Sequence, residues 1–279
     1  MSRILVSTGA LLGRPNGRDF RLLESLAPCL NCDGYELMIY ESWYEKEKEL
    51  TDFLGHAGLS IPVIHCRKDI GKDLAFGEAE LTEKALSDFA RNCRIACAAG
   101  AEKLVLHLWS GRISDQRIEN NLTAYAALNM IARDNGLLLT IENVVCNQQD
   151  PMTHLRALAL RYPGVRFTFD TKNAAFHSQL EALYAPENAW LGERVAHYHV
   201  NDYAGGHMEW DKLLGRVLPA GRGRIDFDPL FAYVRGSGYT GDFTIEATAF
   251  DETGIVDTDM LCGQVELLKQ SFCQTPPTL

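Results

Sequence analysis

The chain has 279 residues, 46% of them apolar and 23% charged, with a formal net charge of −10. This is enough for one α/β barrel of about 250 residues and points to a single domain. The acidic balance, with lysines and arginines scattered rather than clustered, argues against nucleic acid as a partner, and no run reaches the about 18 apolar residues of a membrane helix.

Strand-like and helix-like runs alternate along the chain, the pattern of a parallel sheet covered by helices. Eight such repeats give a (β/α)8 TIM barrel over residues 1–274, followed by a short tail at 275–279 that includes Thr-Pro-Pro-Thr. The first run, 4–7, lies within MSRILVSTGALLGR, which superficially imitates a signal peptide. Ser7, Thr8 and Gly9 interrupt that stretch and no convincing small-residue cleavage site follows, so it is read as the first barrel strand of a cytoplasmic protein.

Further strands are expected at 35–40, 61–65, 103–108, 137–142, 165–170, 196–200 and 243–246. The clearest helices are 78–99, 116–135, 151–161, 228–236 and 256–272, where apolar residues recur at helical spacing. Gly100 and Gly136 each close a helix where a left-handed residue is wanted. Segments 188–192 and 202–223 read as long irregular loops of the kind that build or cover sites, and Asp226 reads as the N-cap of the helix that follows. Eight irregularly spaced cysteines look like the reduced thiols of a cytosolic chain. The lone pair Cys29 and Cys32 reads as buried or surface thiols rather than a zinc or redox site, and the helical pair Cys93 and Cys97 as packing residues.

Four strand-like runs end in metal-competent side chains: Glu142 in LLLTIE, Asp170 in VRFTFD, His199 in VAHYHV and Glu246 in FTIE. Parallel barrels carry their active sites at the carboxyl ends of the strands, so four ligands arriving there suggest one metal centre. His65 and His107 end two more runs and would point into the same mouth. His197 shares a strand face with His199, because side chains alternate, and stays open as a ligand at this point. Glu36, within YELMIY, either faces the barrel mouth or forms a buried ion pair.

With His65 and His107 at strand ends, TIENV at 140–144, FDTKNA at 169–174, HVND at 199–202, GRGRIDF at 221–227 and IEA at 245–247, the sequence resembles the xylose isomerase-like TIM barrels. That superfamily unites sugar isomerases and epimerases, inosose dehydratases and endonuclease IV. The resemblance runs nearly the whole chain and implies that Glu142, Asp170, His199 and Glu246 hold one divalent ion, commonly Mn, Co, Mg or Zn; the register HVND favours His199 over His197. Three carboxylates and one imidazole make an oxygen-rich set suited to Mn or Mg.

The resemblance also implies a small-molecule carbohydrate as substrate and, for many such barrels, a homodimer or homotetramer. The chemistry it implies is isomerisation or epimerisation of a sugar or sugar phosphate. A proton moves beside a carbonyl through an enediolate, with the ion as Lewis acid and Glu142 and Glu246 as acid and base. His65, His107, Trp109, Lys172, Asn173 and Arg222 are the expected substrate contacts, with a second metal on the two histidines as a lesser alternative. An inosose-type dehydratase would use the same centre. An endonuclease IV-like hydrolase fits less well: Asn173 stands where that branch has histidine, and Gly215, Arg216 and Val217 stand where it has an Asp-x-His pair. A partner-dependent metal-binding barrel is a further alternative. The glycines 221 and 223 do not make a dinucleotide loop, because no strand enters a tight turn there.

Overall fold

The computed structural model describes residues 2–110 and 115–273; the short tail lies outside them. Eight parallel strands close into a barrel in sequence order: β1 (Ile4–Ser7), β2 (Gly34–Met38), β3 (Val63–His65), β4 (Lys103–Leu106), β5 (Leu138–Glu142), β6 (Arg166–Asp170), β7 (Val195–His199) and β8 (Asp242–Ile245). Pairing of Ile4 with Phe243 and Val6 with Ile245 completes the ring. The single-domain barrel expected from the alternation is present.

The strands alternate by chemistry rather than being apolar on both faces. Val6, Leu37, Ile64, Leu104, Leu139, Ile141, Phe167, Phe169 and Phe243 belong to the large apolar core that includes the helices. Their neighbours are largely polar. Leu5, Val63 and Val105 form a small separate apolar cluster. Thr140 and Thr168 share a hydrogen bond of 2.7 Å, and Thr244 donates to Glu36 at 2.9 Å. Nearer the amino ends, Lys103 Nζ reaches the Ala196 carbonyl at 2.7 Å and Asp242 at 2.9 Å. A period of two along the strands therefore sets an apolar outer face against a largely polar interior, which ends in Glu142, Asp170 and His199 at the carboxyl ends.

The helices Ala79–Ala99, Ile118–Asp134, Pro151–Arg161, Asp228–Gly236 and Thr258–Cys273 cover the outside. Gly100 (φ 70°) and Gly136 (φ 71°) take the left-handed conformation expected of them. Three local readings change. Segment 188–192 contains the short helix Ala189–Gly192, held by buried Leu191 and by Trp190 set edge-on to Phe167; a second, Trp210–Leu213, lies in the loop after β7. Asp226 does not occupy the cap position, which belongs to Phe227; its carboxylate accepts the Asp228 N–H at 3.1 Å one step earlier. Cys97 is exposed on its helix whereas Cys93 is buried.

Gly71, in the helix Ile70–Ala75, packs directly against the backbone that leaves β4. A Cβ there would overlap the carbonyls of His107 and Leu108, and Asn121 Nδ2 ties Gly71 O to Leu108 O with two hydrogen bonds of 2.6 Å. Backbone cannot retreat as a flexible side chain can. Gly71→Ala is therefore expected to cost about 1–3 kcal/mol of stability, read as a lower urea midpoint. An unchanged midpoint would contradict this packing.

Candidate metal centre and active site

Glu142, Asp170 and His199 are the last residues of β5, β6 and β7, and Glu246 follows β8 directly. All four converge. His199 Nδ1 lies 3.4 Å from Glu246 Oε2, 3.7 Å from Glu142 Oε2 and 3.9 Å from Asp170 Oδ2. Donor atoms bound at about 2.1 Å to one cation sit about 3.0–3.4 Å apart, so this spacing needs only small adjustments to surround an ion. Glu142 Oε2 and His199 Nδ1 are buried, and neither has a hydrogen-bond partner among the described residues. Leaving such atoms unanswered is costly, and a divalent cation satisfies both. The residues fit the ion.

The tautomer is set from below. Glu36, fully buried in β2, accepts at Oε2 from His197 Nε2 (2.8 Å), His199 Nε2 (3.1 Å) and Thr244 Oγ1 (2.9 Å). A carboxylate only accepts, so the His199 ring carries a proton on Nε2 and turns Nδ1 toward the carboxylates. Of the two readings of Glu36, the buried pair is the one present. His197 lies a layer beneath His199 and away from the carboxylate cluster.

Amides hold the carboxylates. Asn201 Nδ2 donates to Asp170 Oδ2 (2.9 Å) and Glu246 Oε2 (3.0 Å), and its Oδ1 accepts from Glu246 N (3.1 Å). Asn143 exchanges two hydrogen bonds with the Asp170 backbone. Asn173 Nδ2 donates to Glu142 Oε1 at 2.9 Å, so this residue, expected at the substrate, holds the glutamate instead. Neither Asn201 nor Asn143 was singled out from the sequence. Asn201 carried a signal within HVND, between His199 and Asp202.

His107 Nε2 and His65 Nε2 approach Glu142 Oε2 at 2.9 and 3.5 Å, so these three form a second metal-competent group sharing that oxygen. Burial pushes His107 down to about 4, against the pull of Glu142, and leaves its imidazole neutral at pH 7.

Two other expected contacts fall elsewhere. Trp109 is 0% exposed: its indole N–H donates to the Val144 carbonyl at 2.7 Å and its ring meets His154 edge-on, so it offers no face to a sugar. Arg222 is exposed and lies outside the cavity over the centre. Asp202 explains why. Its carboxylate accepts the backbone N–H groups of Gly221, Gly223 and Ile225 at 2.8–3.0 Å, drawing the loop's backbone inward, and a Cβ on Gly223 would overlap it. Lys172 does line that cavity, whose volume is about 580 Å³, together with Glu246, Ser7, Met38 and Tyr40.

Electrostatics give a pH dependence. Burial lowers the pKa of His199, but Glu246, Glu36 and Glu142 together raise it well above 6.5; burial, reinforced by Glu142 and Glu246 and opposed by Lys172, pushes Asp170 up to about 6. An entering cation must displace the His199 proton, and below about pH 6 the Asp170 proton as well. Divalent-ion affinity is therefore expected to rise with pH, more steeply below about 6 than above it. Competition titrations with a chelating dye at several pH values check this; a pH-independent affinity would contradict it.

Residues 26–261 match the family model described as xylose isomerase-like TIM barrel. Inosose dehydratase of Erwinia tasmaniensis is 24% identical over 268 residues, covering 86% of this chain and 78% of that protein. Among solved structures, D-allulose 3-epimerase from Methylomonas sp. in complex with D-allulose superposes with a TM-score of 0.70 at 16% identity over 97% of each chain. The IOLI protein with a binding zinc atom gives 0.68 at 14% identity, over 98% of this chain and 100% of that one. The structural likenesses establish the barrel, and the match across most of the sequence establishes the lineage: the chain belongs to the xylose isomerase-like TIM barrel family.

Proposed function

We propose that this protein is a divalent-metal-dependent isomerase or epimerase of a sugar or sugar phosphate, moving a proton beside a carbonyl through an enediolate. The observation that carries this reading is the arrival of two differently held glutamates at one cation site. Glu142 has one oxygen fixed by Asn173 and the other among His199, His65 and His107. Among the described residues Glu246 uses only Oε2, toward His199 and Asn201, and it lines the cavity. Its second oxygen is therefore available to take or return a proton at a bound carbon, opposite a more firmly held Glu142. The ion, when bound, supplies Lewis-acid polarisation of the carbonyl. Neutral His107 is suited to hydrogen-bonding a substrate hydroxyl or relaying a proton at Nε2.

An inosose-type dehydratase is the second reading, supported by the similarity to inosose dehydratase. Both make the protein an enzyme acting on a small carbohydrate. The net charge of −10 supports a non-nucleic-acid substrate. Of the eight cysteines, the seven whose state is described are free thiols, which supports a cytoplasmic setting, and no helix among the described residues is long and apolar enough to cross a membrane. A homodimer or homotetramer remains part of the proposal. Incubation of metal-loaded protein with ketoses, their phosphates and inososes separates the chemistries by product mass. Isomerisation or epimerisation conserves mass and dehydration loses one water; neither across the whole panel would overturn both readings.

A further inference from the structure

Four basic side chains line the cavity over the metal centre: Arg18, Arg67, Lys68 and Lys172. Arg67 is already neutralised, lying 3.0 Å from Asp88 and also against Asp73. Two acidic residues on the cavity wall face the same network: Glu41 is 3.1 Å from Lys84, and Asp69 is 3.9 Å from Arg67. Arg18, Lys68 and Lys172 have no carboxylate within ion-pair distance among the described residues, in a chain with ten more acidic than basic side chains. Unpaired cations are ordinary on an open surface; three converging on one cavity are not.

Arg18 is held there at a cost. Its backbone takes φ 55°, a conformation rare for a residue with a side chain, fixed by its N–H on Gly13 O (2.9 Å) and by Trp43 Nε1 on its carbonyl (2.8 Å). The guanidinium lies 4.4 Å from the Tyr40 ring centroid, and its Nε is buried with no hydrogen-bond acceptor among the described residues. A buried donor of that kind calls for an acceptor that arrives with the ligand. Lys68 comes from the loop after β3 and Lys172 from the short helix Thr171–Phe176 that follows β6, so the three cations reach the cavity from different parts of the barrel.

We infer that the substrate is an anionic sugar, bearing a carboxylate or a phosphate monoester, and that Arg18, Lys68 and Lys172 bind that group. This rests on the isomerase reading, which places the carbonyl at the metal centre. An uncharged ketose leaves all three cations without a directly paired anion; an anionic one gives Arg18 a planar, hydrogen-bonding partner and the lysines a point charge.

The test compares metal-loaded wild type, Arg18→Gln and Lys68→Gln on ketose phosphates, keto-uronates and the corresponding neutral ketoses, scored by solvent-deuterium exchange. Calorimetric binding of sorbitol 6-phosphate against sorbitol supplies a readout independent of turnover. Wild type is expected to favour anionic over neutral ketoses in kcat/KM by about a hundredfold. Each variant is expected to cut that preference about tenfold, mainly through KM, with metal content unchanged. Preference for the phosphate or the uronate names the anion. Equal use of neutral and anionic ketoses, or variants that lose metal rather than selectivity, would overturn the inference, the second because the cations then only balance the metal-site carboxylates. Selective binding of sorbitol 6-phosphate, lost in the variants, without exchange on any sugar would leave the anion subsite standing and remove the isomerase reading instead.

Discussion

Glu246→Gln is expected to slow solvent-proton exchange at the substrate carbon by about 10²–10⁴-fold, the usual contribution of a positioned acid or base. The amide keeps the shape of the side chain but cannot accept the proton. Because Glu246 also faces His199 Nδ1 at 3.4 Å, the substitution will weaken the cation site as well, so the assay is run at saturating metal with the bound ion measured in the same sample. Loss of exchange with metal retained assigns the proton transfer to this carboxylate. Full exchange by the variant would leave Glu142 as the sole acid and base, against the geometry, because Asn173 holds one of its oxygens and the other is turned inward among buried imidazoles.

Glu36→Gln should produce the second large effect, at a residue that does not line the cavity. Its Oε2 accepts from three donors within the barrel, and both histidines it holds are fully buried. Replacing the anion by an amide puts an N–H or a weaker acceptor where two imidazole N–H groups and a hydroxyl require a carboxylate. Outer carboxylates on metal-binding histidines are worth about 10–100-fold in metal affinity, and that loss is expected here. Breaking a buried charge pair also costs about 3–5 kcal/mol, so urea unfolding of the metal-free variant should show a clear fall in midpoint. An unchanged ion affinity would mean that His199 does not depend on Glu36 for its orientation.

The barrel and the meeting of four metal-competent side chains at its carboxyl end were legible because strand periodicity is local. Once LLLTIE or VRFTFD is read as a strand, its last residue is at the carboxyl end by construction, and Glu142, Asp170 and His199 fall there without any knowledge of packing. Glu36 was ambiguous because it sits in mid-strand; its partners lie more than 160 residues away, and only closure of the ring brings β2 opposite β7. The period-two parity of β2 did carry the inward orientation of that single charge. Asn201 and Asn143 escaped notice because an amide's role depends on which oxygen it meets. Trp109 and Arg222 were misplaced for a common reason: both follow the end of regular structure, where alternation no longer dictates direction. The Val144 carbonyl captured the indole, and Asp202 captured the backbone around Arg222. The short helix Ala189–Gly192 rests on Leu191 burial and on the Trp190 contact, not on local propensity.

The central claim is that one divalent ion, held by Glu142, Asp170, His199 and Glu246, activates a carbon-bound proton. Solvent-deuterium exchange by chelator-stripped protein, titrated back with Mn, tests it most directly on the panel of neutral and anionic ketoses. The account predicts no exchange without metal, recovery that saturates at one ion per chain, and loss of both binding and exchange in His199→Ala. Exchange that persists in fully stripped protein, or metal binding that His199→Ala leaves intact, would contradict it.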